Sequence, residues 1–129
     1  MRIPVVSLSN FDKNFLQDLV QRLNGSFRSI RFDHKGRMPL PEEAYNSFRD
    51  QYKAERILDA LRDEGIVIAV MKEGLYADGA NYAFGESEYR GPAVVSTHRL
   101  RPEFYDEEAD SEVLMERLKK EIIHEMGHC

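Results

Sequence analysis

The chain has 129 residues, which is long enough for one domain to bury a hydrophobic core without disulfide or metal staples. The net charge of −5 argues against nucleic-acid binding, and no apolar stretch approaches the roughly 20 residues that a membrane helix needs. A single cysteine excludes an internal disulfide framework and favours a reducing compartment. We therefore expect a cytoplasmic protein that has neither nucleic acid nor a membrane as its partner.

The first half of the sequence alternates between strand and helix patterns. A short apolar run near the N-terminus has the length of a strand, and Ser9 and Asn10 directly after it are candidate helix N-caps. Apolar residues then recur at helical spacing until Asn24 and Gly25, which are typical of a helix end. The predicted elements are a strand at residues 3–8, a helix at 15–23, a strand at 27–32 and a proline-containing, charged loop at 33–50.

The second half contains the clearest signs of a buried sheet. The run IVIAVM is apolar on both faces, which is typical of a central strand that is covered on both sides. Gly79 and Gly85 bracket a segment that we interpret as a strand at the sheet edge. Ser111 is a candidate N-cap for the last helix. The predicted elements are a helix at residues 51–62, strands at 66–71, 82–86 and 93–97, and a helix at 111–128 whose buried stripe is Leu114, Leu118 and Ile122.

The order of these elements predicts an α/β fold. We expect one mixed, mostly parallel twisted sheet with an antiparallel edge strand and about three helices. The first three strands should run parallel, because helices separate them and a parallel connection needs a crossover. The strand at 82–86 would be the antiparallel edge strand. Because no repeat or linker divides the sequence, residues 1–129 should form a single domain that ends at the last helix.

The sequence ends in EIIHEMGHC, which contains the pattern H-E-x-x-H. His124 and His128 are four residues apart, so on a helix both imidazoles leave the same face and can bind one Zn²⁺. Glu125 leaves the helix about 100° from His124, where its carboxylate can reach a zinc-bound water. Zinc lowers the pKa of that water toward about 7, and the carboxylate can accept its proton during attack on a peptide carbonyl. The pattern predicts two metal-ligating histidines and one catalytic base.

Two other interpretations of this segment remain open. Two histidines at this spacing also occur by chance on surface helices, because the motif has only three defined positions. Catalytic zinc usually has three protein ligands, whereas HEMGH supplies two. Cys129 is a candidate substitute ligand, through its thiolate or its terminal carboxylate, and the alternative is a free terminal thiol.

Four segments of the sequence resemble the archaemetzincins, a family of metzincin-type zinc metallopeptidases. KEIIHEMGH is similar to the family's active-site helix, and AVVSTHRLRPEFY is similar to the strand and the Ser-x-x-Arg-Leu segment that lead to that helix. GLYADGANYAFGES resembles the glycine-rich and aromatic segment around the family's edge strand. PEEAYNSFRDQYKAERILDAL resembles its Pro-x-x-Ala-Tyr loop and the helix start that follows. Together these segments span most of the chain from residue 40 onward.

The resemblance implies a zinc-dependent peptidase with the fold predicted above. It implies that His124 and His128 match the family's first two zinc histidines and that Glu125 matches its general base. It also implies that the edge strand binds an extended peptide, so Tyr82 and Phe84 are candidate substrate contacts, with simple packing as the alternative. The family's motif continues to a third histidine, a methionine-containing turn and further cysteines. Since none of these follows in the sequence, we expect a truncated chain without the family's C-terminal subdomain.

Three functional hypotheses follow from these observations. The first is a zinc metallopeptidase that hydrolyses bonds in a peptide or protein substrate. The second is a non-catalytic or inactive fold unit that keeps the peptide-binding edge strand. The third is that two chains share one metal at a symmetric dimer. Apolar surface left uncovered by the missing half should also favour self-association.

Overall fold

The structure is a computed structural model, and it describes residues 1–127 of the chain. The strands are β1 (Arg2–Ser7), β2 (Arg31–Arg37), β3 (Tyr45–Asn46), β4 (Gln51–Lys53), β5 (Ile68–Met71), β6 (Leu75–Tyr76), β7 (Gly85–Ser87) and β8 (Ala93–Ser96). The helices are α1 (Lys13–Ser26), α2 (Ala54–Leu61) and α3 (Ser111–Met126), with short 3-10 turns between some elements. None of the helices in these residues is both long and apolar enough to cross a membrane.

The main sheet has five strands in the order β2-β1-β5-β8-β7. β1 pairs in parallel with β2 and β5, and β5 pairs in parallel with β8. β7 pairs antiparallel with β8 at the edge of the sheet. The predicted fold class is confirmed, with a mostly parallel sheet, one antiparallel edge strand and three helices. The sequence analysis missed a second sheet of three short strands, in the order β3-β4-β6.

The central strand β5 shows why this sheet is buried on both faces. All four of its residues are buried, as the run of apolar residues predicts. Because successive side chains of a strand point to opposite faces, Ile68 and Val70 pack in one core cluster while Ala69 and Met71 pack in the other. α1 and α3 supply the first cluster and α2 supplies the second. α3 therefore lies flat against one face of the sheet.

Aspartates, and not the predicted residues, cap two of the helices. α1 begins after Asp12, whose carboxylate accepts a hydrogen bond from the backbone N–H of Asn14. The predicted N-cap Ser9 instead donates to the carboxylate of Glu73, so a tertiary contact uses its hydroxyl. α3 begins after Asp110, whose carboxylate accepts from two backbone N–H groups. Sequence spacing alone does not distinguish neighbouring N-cap candidates, because Ser, Asp and Asn cap about equally well.

The second strand lies further along the chain than the predicted range 27–32. Phe27 ends α1, and β2 begins only at Arg31. The side chain of Asn24 binds both the backbone N–H and the backbone carbonyl of Phe32, at 2.7 and 3.1 Å, and so holds the start of the strand against α1. β2 then continues into the predicted loop at 33–50, because its backbone pairs with β1 along the whole of that strand.

Two further boundaries differ because short strands join the second sheet. The predicted helix at 51–62 begins with β4, and α2 starts only at Ala54. The predicted edge strand at 82–86 is shifted to Gly85–Ser87. The reason is that the backbone N–H of Ala83 donates to the carbonyl of Leu75 in β6, so this part of the segment does not pair with β8. The buried stripe of α3 contains Met115 together with the predicted Leu118 and Ile122, and the predicted Leu114 is only partly buried.

Candidate active site

The last turns of α3 face the edge strand β7. Helical geometry places residues three and four apart on one side, so Glu121, His124 and Glu125 lie together at this end of the helix. Glu125 is only 4 % exposed, whereas His124 is exposed. Donor atoms of the three side chains all lie within 4.8 Å of one another. The sequence therefore brings one imidazole and two carboxylates into a single cluster.

Ser87 of β7 holds the carboxylate of Glu125. Its hydroxyl lies 3.0 Å from Oε1 of Glu125, where it donates a hydrogen bond, and 3.3 Å from the backbone carbonyl of the same residue. A buried carboxylate needs such donors, because an unpaired buried charge is strongly unfavourable. Ser87 was not predicted as a site residue, and no local pattern marks it, because its partner is 38 residues away in the sequence.

Gly85 allows the close approach of β7 to α3. A Cβ atom at this position would lie 2.9 Å from the carbonyl oxygen of Val94 and 3.1 Å from both Cγ and Oε2 of Glu125. The 2.9 Å contact is shorter than Cβ atoms normally make and the 3.1 Å contacts are tight, so a side chain at residue 85 would push the strand or the carboxylate away. Gly85 was predicted only as a boundary of the edge strand. A glycine inside a strand often marks a close approach, and that signal was available.

Glu121 shares its environment with Glu125. Burial, the hydrogen bond with Glu125 and the charge of that neighbour, in this order, raise the pKa of Glu121 to about 7. Two adjacent carboxyl groups are most stable when one of them holds a proton. The sequence analysis did not single out Glu121, although its position four residues before Glu125 could have indicated the pair.

The free edge of β7 presents backbone groups beside this cluster. Phe84 accepts a hydrogen bond from Ser96 of β8, and Glu88 donates one to Pro92. Because alternate residues of an antiparallel strand point toward the partner, the backbone N–H and C=O groups of Gly85 and Ser87 point away from β8. Within the part of the chain that is described, β7 is the last strand of its sheet.

The predicted substrate contacts lie just before β7. Tyr82 is 41 % exposed, and its ring meets that of Phe84 edge-on at 5.5 Å between centroids. The guanidinium of Arg99 lies 4.0 Å from the centroid of the Tyr82 ring. Phe84 packs against the core cluster next to α3. A substrate role for either residue stays a prediction, and both interpretations from the sequence analysis are compatible with these positions.

A metal site can be built from His124 and the adjacent carboxylates. Zinc in proteins takes imidazole nitrogens and carboxylate oxygens, and the cluster of Glu121, His124 and Glu125 offers both kinds of donor atom. His128 and Cys129, the other predicted ligand and the candidate substitute, lie outside the described residues. The roles predicted for these residues and for Glu125 stay predictions.

Comparison with known proteins identifies the family. The model of Peptidase family M54 matches residues 5–129, almost the whole chain. The chain belongs to peptidase family M54. It is a metallopeptidase by this membership, which confirms the archaemetzincin resemblance and implies a bound metal.

Several members of the M54 family are similar to this chain over nearly its full length. The archaemetzincin of Methanocaldococcus jannaschii is 37% identical over 130 residues, and that of Saccharolobus solfataricus is 33% identical over 134 residues. Both alignments cover 99% of this chain and 72% of the relative. The crystal structure of the Archaeoglobus fulgidus archaemetzincin, complexed with malonate, has a TM-score of 0.85 at 32% identity, covering 99% of this chain and 77% of that one. The Methanopyrus kandleri archaemetzincin has a TM-score of 0.80 at 30% identity, with 99% and 72% covered.

Proposed function

We propose that this chain is a zinc-dependent peptidase of the archaemetzincin, and so metzincin, type. His124 and His128 bind the zinc ion, and Glu125 is the general base. The observation that carries the proposal is the position of Glu125, which is buried against the edge strand beside the exposed His124. Membership of peptidase family M54 supports the same chemistry.

Glu125 acts on the water that attacks the peptide bond. When bound, zinc polarises the carbonyl group and lowers the pKa of the attacking water toward about 7. The carboxylate of Glu125 accepts the proton of this water and passes it to the departing amine nitrogen. Ser87 orients the carboxylate through its hydrogen bond to Oε1. Proton transfer by a positioned side chain contributes about 10²–10⁴-fold to a rate.

The substrate binds as an extended strand along β7. The N–H and C=O groups of Gly85 and Ser87 point outward from the sheet, where a peptide backbone can pair with them, which is the usual way in which a sheet edge binds a peptide. The N–H of Ser87 would exchange its 3.4 Å contact with the Glu86 carboxylate for the peptide. This pairing places a peptide bond next to Glu125, because both residues contact that side chain. Tyr82 and Phe84 then lie beside substrate side chains at one end of the strand. The substrate is a peptide or an unfolded segment of a protein.

A second candidate function is a non-catalytic unit that binds peptides through the same edge. The outward backbone groups of β7 favour it, because they need no metal to bind an extended chain. Its binding would survive the loss of zinc, whereas peptidase activity would not.

Zinc content and peptidase activity together test the proposal. We expect about one zinc per chain after loosely bound metal is removed, lost in His124→Ala and kept in Glu125→Gln. Cleavage of an unstructured peptide substrate should fall by about 10²-fold or more in Glu125→Gln. His34→Ala, at an exposed histidine of β2, is the matched control and should change neither quantity. Activity that persists unchanged in Glu125→Gln would overturn the proposed base.

Peptide binding without activity would favour the second candidate. If the chain retains no zinc but still shifts the backbone signals of β7 on peptide addition, the edge strand functions without catalysis. If two chains share one ion, the ratio would be one zinc per two chains, and zinc would drive dimer formation.

The cellular location is proposed to be the cytoplasm. The single cysteine supports a reducing compartment, because proteins of oxidising compartments usually carry paired cysteines. The acidic net charge supports the absence of a nucleic-acid partner. Microscopy of a fluorescent fusion tests the location.

A further inference from the structure

A cavity of about 470 Å³ lies at the opposite end of the sheet from Glu125. Its walls come from segments that follow three parallel strands: Phe11 after β1, Lys72 after β5 and Thr97 after β8. Leu114, in the first turn of α3, completes one side. Glu125 is 11 residues further along this helix, or roughly 16 Å at 1.5 Å per residue. The cavity and the peptidase site are therefore separate.

The position of the cavity in the fold is one that commonly binds ligands. β1 has β2 on one side and β5 on the other, so the chain changes direction across the sheet at β1. In open parallel sheets, ligands bind outside the carboxyl ends of the strands at such a switch point. The volume is also within the usual range for small-molecule sites, about 300–1,000 Å³.

The charged groups of the cavity favour an anion. Lys72 and Arg101 both line it, and neither is paired with a carboxylate in residues 1–127. The one carboxylate in the wall, Asp12, is used in capping α1. Burial first, and then the charges of Arg101 and Arg99, lower the pKa of His98, so this ring is neutral at physiological pH. Two cations therefore face one carboxylate, in a protein whose net charge is −5.

Thr97 supplies a hydroxyl to the cavity wall. The residue is 2 % exposed, and its backbone N–H donates to the carbonyl of Met71. Its side-chain hydroxyl makes none of the hydrogen bonds found among the described residues. A hydroxyl in the wall of a cavity can donate a hydrogen bond to an anionic ligand that enters it.

Aromatic rings form the apolar wall. Phe11 and Phe15 stack with their centroids 5.6 Å apart and their planes within 7°. The ammonium group of Lys72 lies 5.0 Å from the centroid of the Phe11 ring. A cation next to an aromatic wall suits a ligand that combines a negative group with a flat apolar body.

We propose that this cavity binds a small organic anion that carries an aromatic ring. The anionic group contacts Arg101, Lys72 and the hydroxyl of Thr97, and the ring packs on Phe11 and Phe15. A carboxylate with this shape has two sources: a free aromatic acid, or the C-terminal aromatic residue of a peptide. Binding in this cavity needs no zinc. The outcome of the binding test is therefore independent of the proposed peptidase activity.

Backbone NMR titration of the full chain with phenylacetate tests the proposal. We expect saturable shifts of the Phe11, Lys72, Thr97 and Leu114 amides, and at least tenfold weaker binding of the neutral phenylacetamide. Thr97→Val and Arg101→Gln should each weaken phenylacetate binding about fivefold or more, whereas Lys35→Gln, at an exposed lysine of β2, should not. If the Arg101→Gln variant does not fold, Lys72→Gln, at an exposed position, tests whether removing a cation weakens phenylacetate binding.

Several outcomes would overturn the proposal that this cavity is a binding site. These are the absence of saturable shifts at the four amides, equal binding of phenylacetamide, or an equal effect of Lys35→Gln. Shifts of the same amides that depend on protein concentration alone would instead identify a second copy of the chain as the occupant. N-acetylphenylalanine, a mimic of a peptide C-terminus, distinguishes the sources. Tighter binding than phenylacetate points to a peptide end, and weaker binding points to a free acid.

Discussion

The two ends of the parallel sheet differ in how they are built. At the amino ends of the strands, the final turns of α3 place Glu121, His124 and Glu125 together, and one edge strand completes the cluster. At the carboxyl ends, the cavity collects Phe11, Thr97 and other residues from segments that are far apart in the sequence. The first site depends on one helix and can be read from a short motif. The second exists only because the sheet aligns the ends of three strands.

The largest expected effect is at Gly85, which allows the first of these sites to form. Gly85→Ala should lower the free energy of unfolding by roughly 2–3 kcal/mol, because the new Cβ meets the backbone of Val94 and the side chain of Glu125. Urea denaturation measures the loss. Gly25→Ala is the control, because a Cβ there meets nothing within 4 Å and alanine favours the α1 helix. Phenylacetate binding at the other end of the sheet should stay unchanged, and its loss in Gly85→Ala would show that the two ends are not independent.

A smaller effect is expected when the hydrogen bond between β7 and α3 is removed. Ser87→Ala should cost about 1–2 kcal/mol of stability, because the buried carboxylate of Glu125 loses a donor. It should also lower peptidase activity without changing zinc content. Ser26→Ala, which removes an exposed hydrogen bond within α1, is the control for urea denaturation. Equal stability of the Ser87 variant and the unmodified chain would show that water replaces the hydroxyl.

The carboxyl pair should make stability depend on pH. The pKa of Glu121 is about 7 in the folded chain and near its ordinary value of 4.5 in the unfolded one, so the folded state binds more protons between these values. The free energy of unfolding should therefore fall as the pH rises from about 4.5 to about 7. One pKa unit corresponds to about 1.4 kcal/mol, and partial exposure reduces the total effect to about 1 kcal/mol.

Glu121→Gln should remove this fall in the metal-free protein, so the variant gains stability relative to the unmodified chain above pH 7. Denaturation at pH 5 and pH 8 in the presence of a chelator measures the difference. Glu43→Gln, at an exposed glutamate, is the control. An unchanged pH dependence in Glu121→Gln would contradict the raised pKa.

The smallest expected effect concerns an apolar depression near the end of α3. Met126 lines it together with Ile30, Ile66 and Ile68, and its volume is about 370 Å³. We expect weak, concentration-dependent self-association through this surface. Met126→Gln should reduce association in sedimentation experiments. A monomer over the whole accessible concentration range would contradict the prediction.

Local patterns predicted those elements in which burial and periodicity agree. β5 is apolar on both faces and lies at the centre of the sheet. The apolar spacing of α3 matches the helix face that packs against the sheet. Boundaries were wrong where a distant partner decides them. β2 extends into the predicted loop because β1 pairs with it, and the segment before β7 turns to β6 through the backbone of Ala83.

In the candidate site, too, local sequence predicted some features, and contacts between distant segments decided the others. The positions of His124 and Glu125 follow from helical spacing, because residues on one helix have a known separation. The contacts of Ser87 and Gly85 with Glu125 could not be derived, because a glycine in a strand indicates a close approach but not which element approaches. The proximity of His124 and Glu125 was thus predictable, but the carboxyl group of Glu121 and the hydrogen bond from Ser87 to Glu125 were missed.

By itself, the sequence determined the α/β class, the central buried strand, the family and the histidine and glutamate of the last helix. These depend on interactions over a few residues or on the burial of apolar side chains, which the residue types largely dictate. Only the tertiary structure decided which strand lies beside Glu125, which carboxyl group is its neighbour and which cations meet at the far end of the sheet. Contacts between distant segments depend on the packing of the whole core, and no short stretch of sequence encodes them.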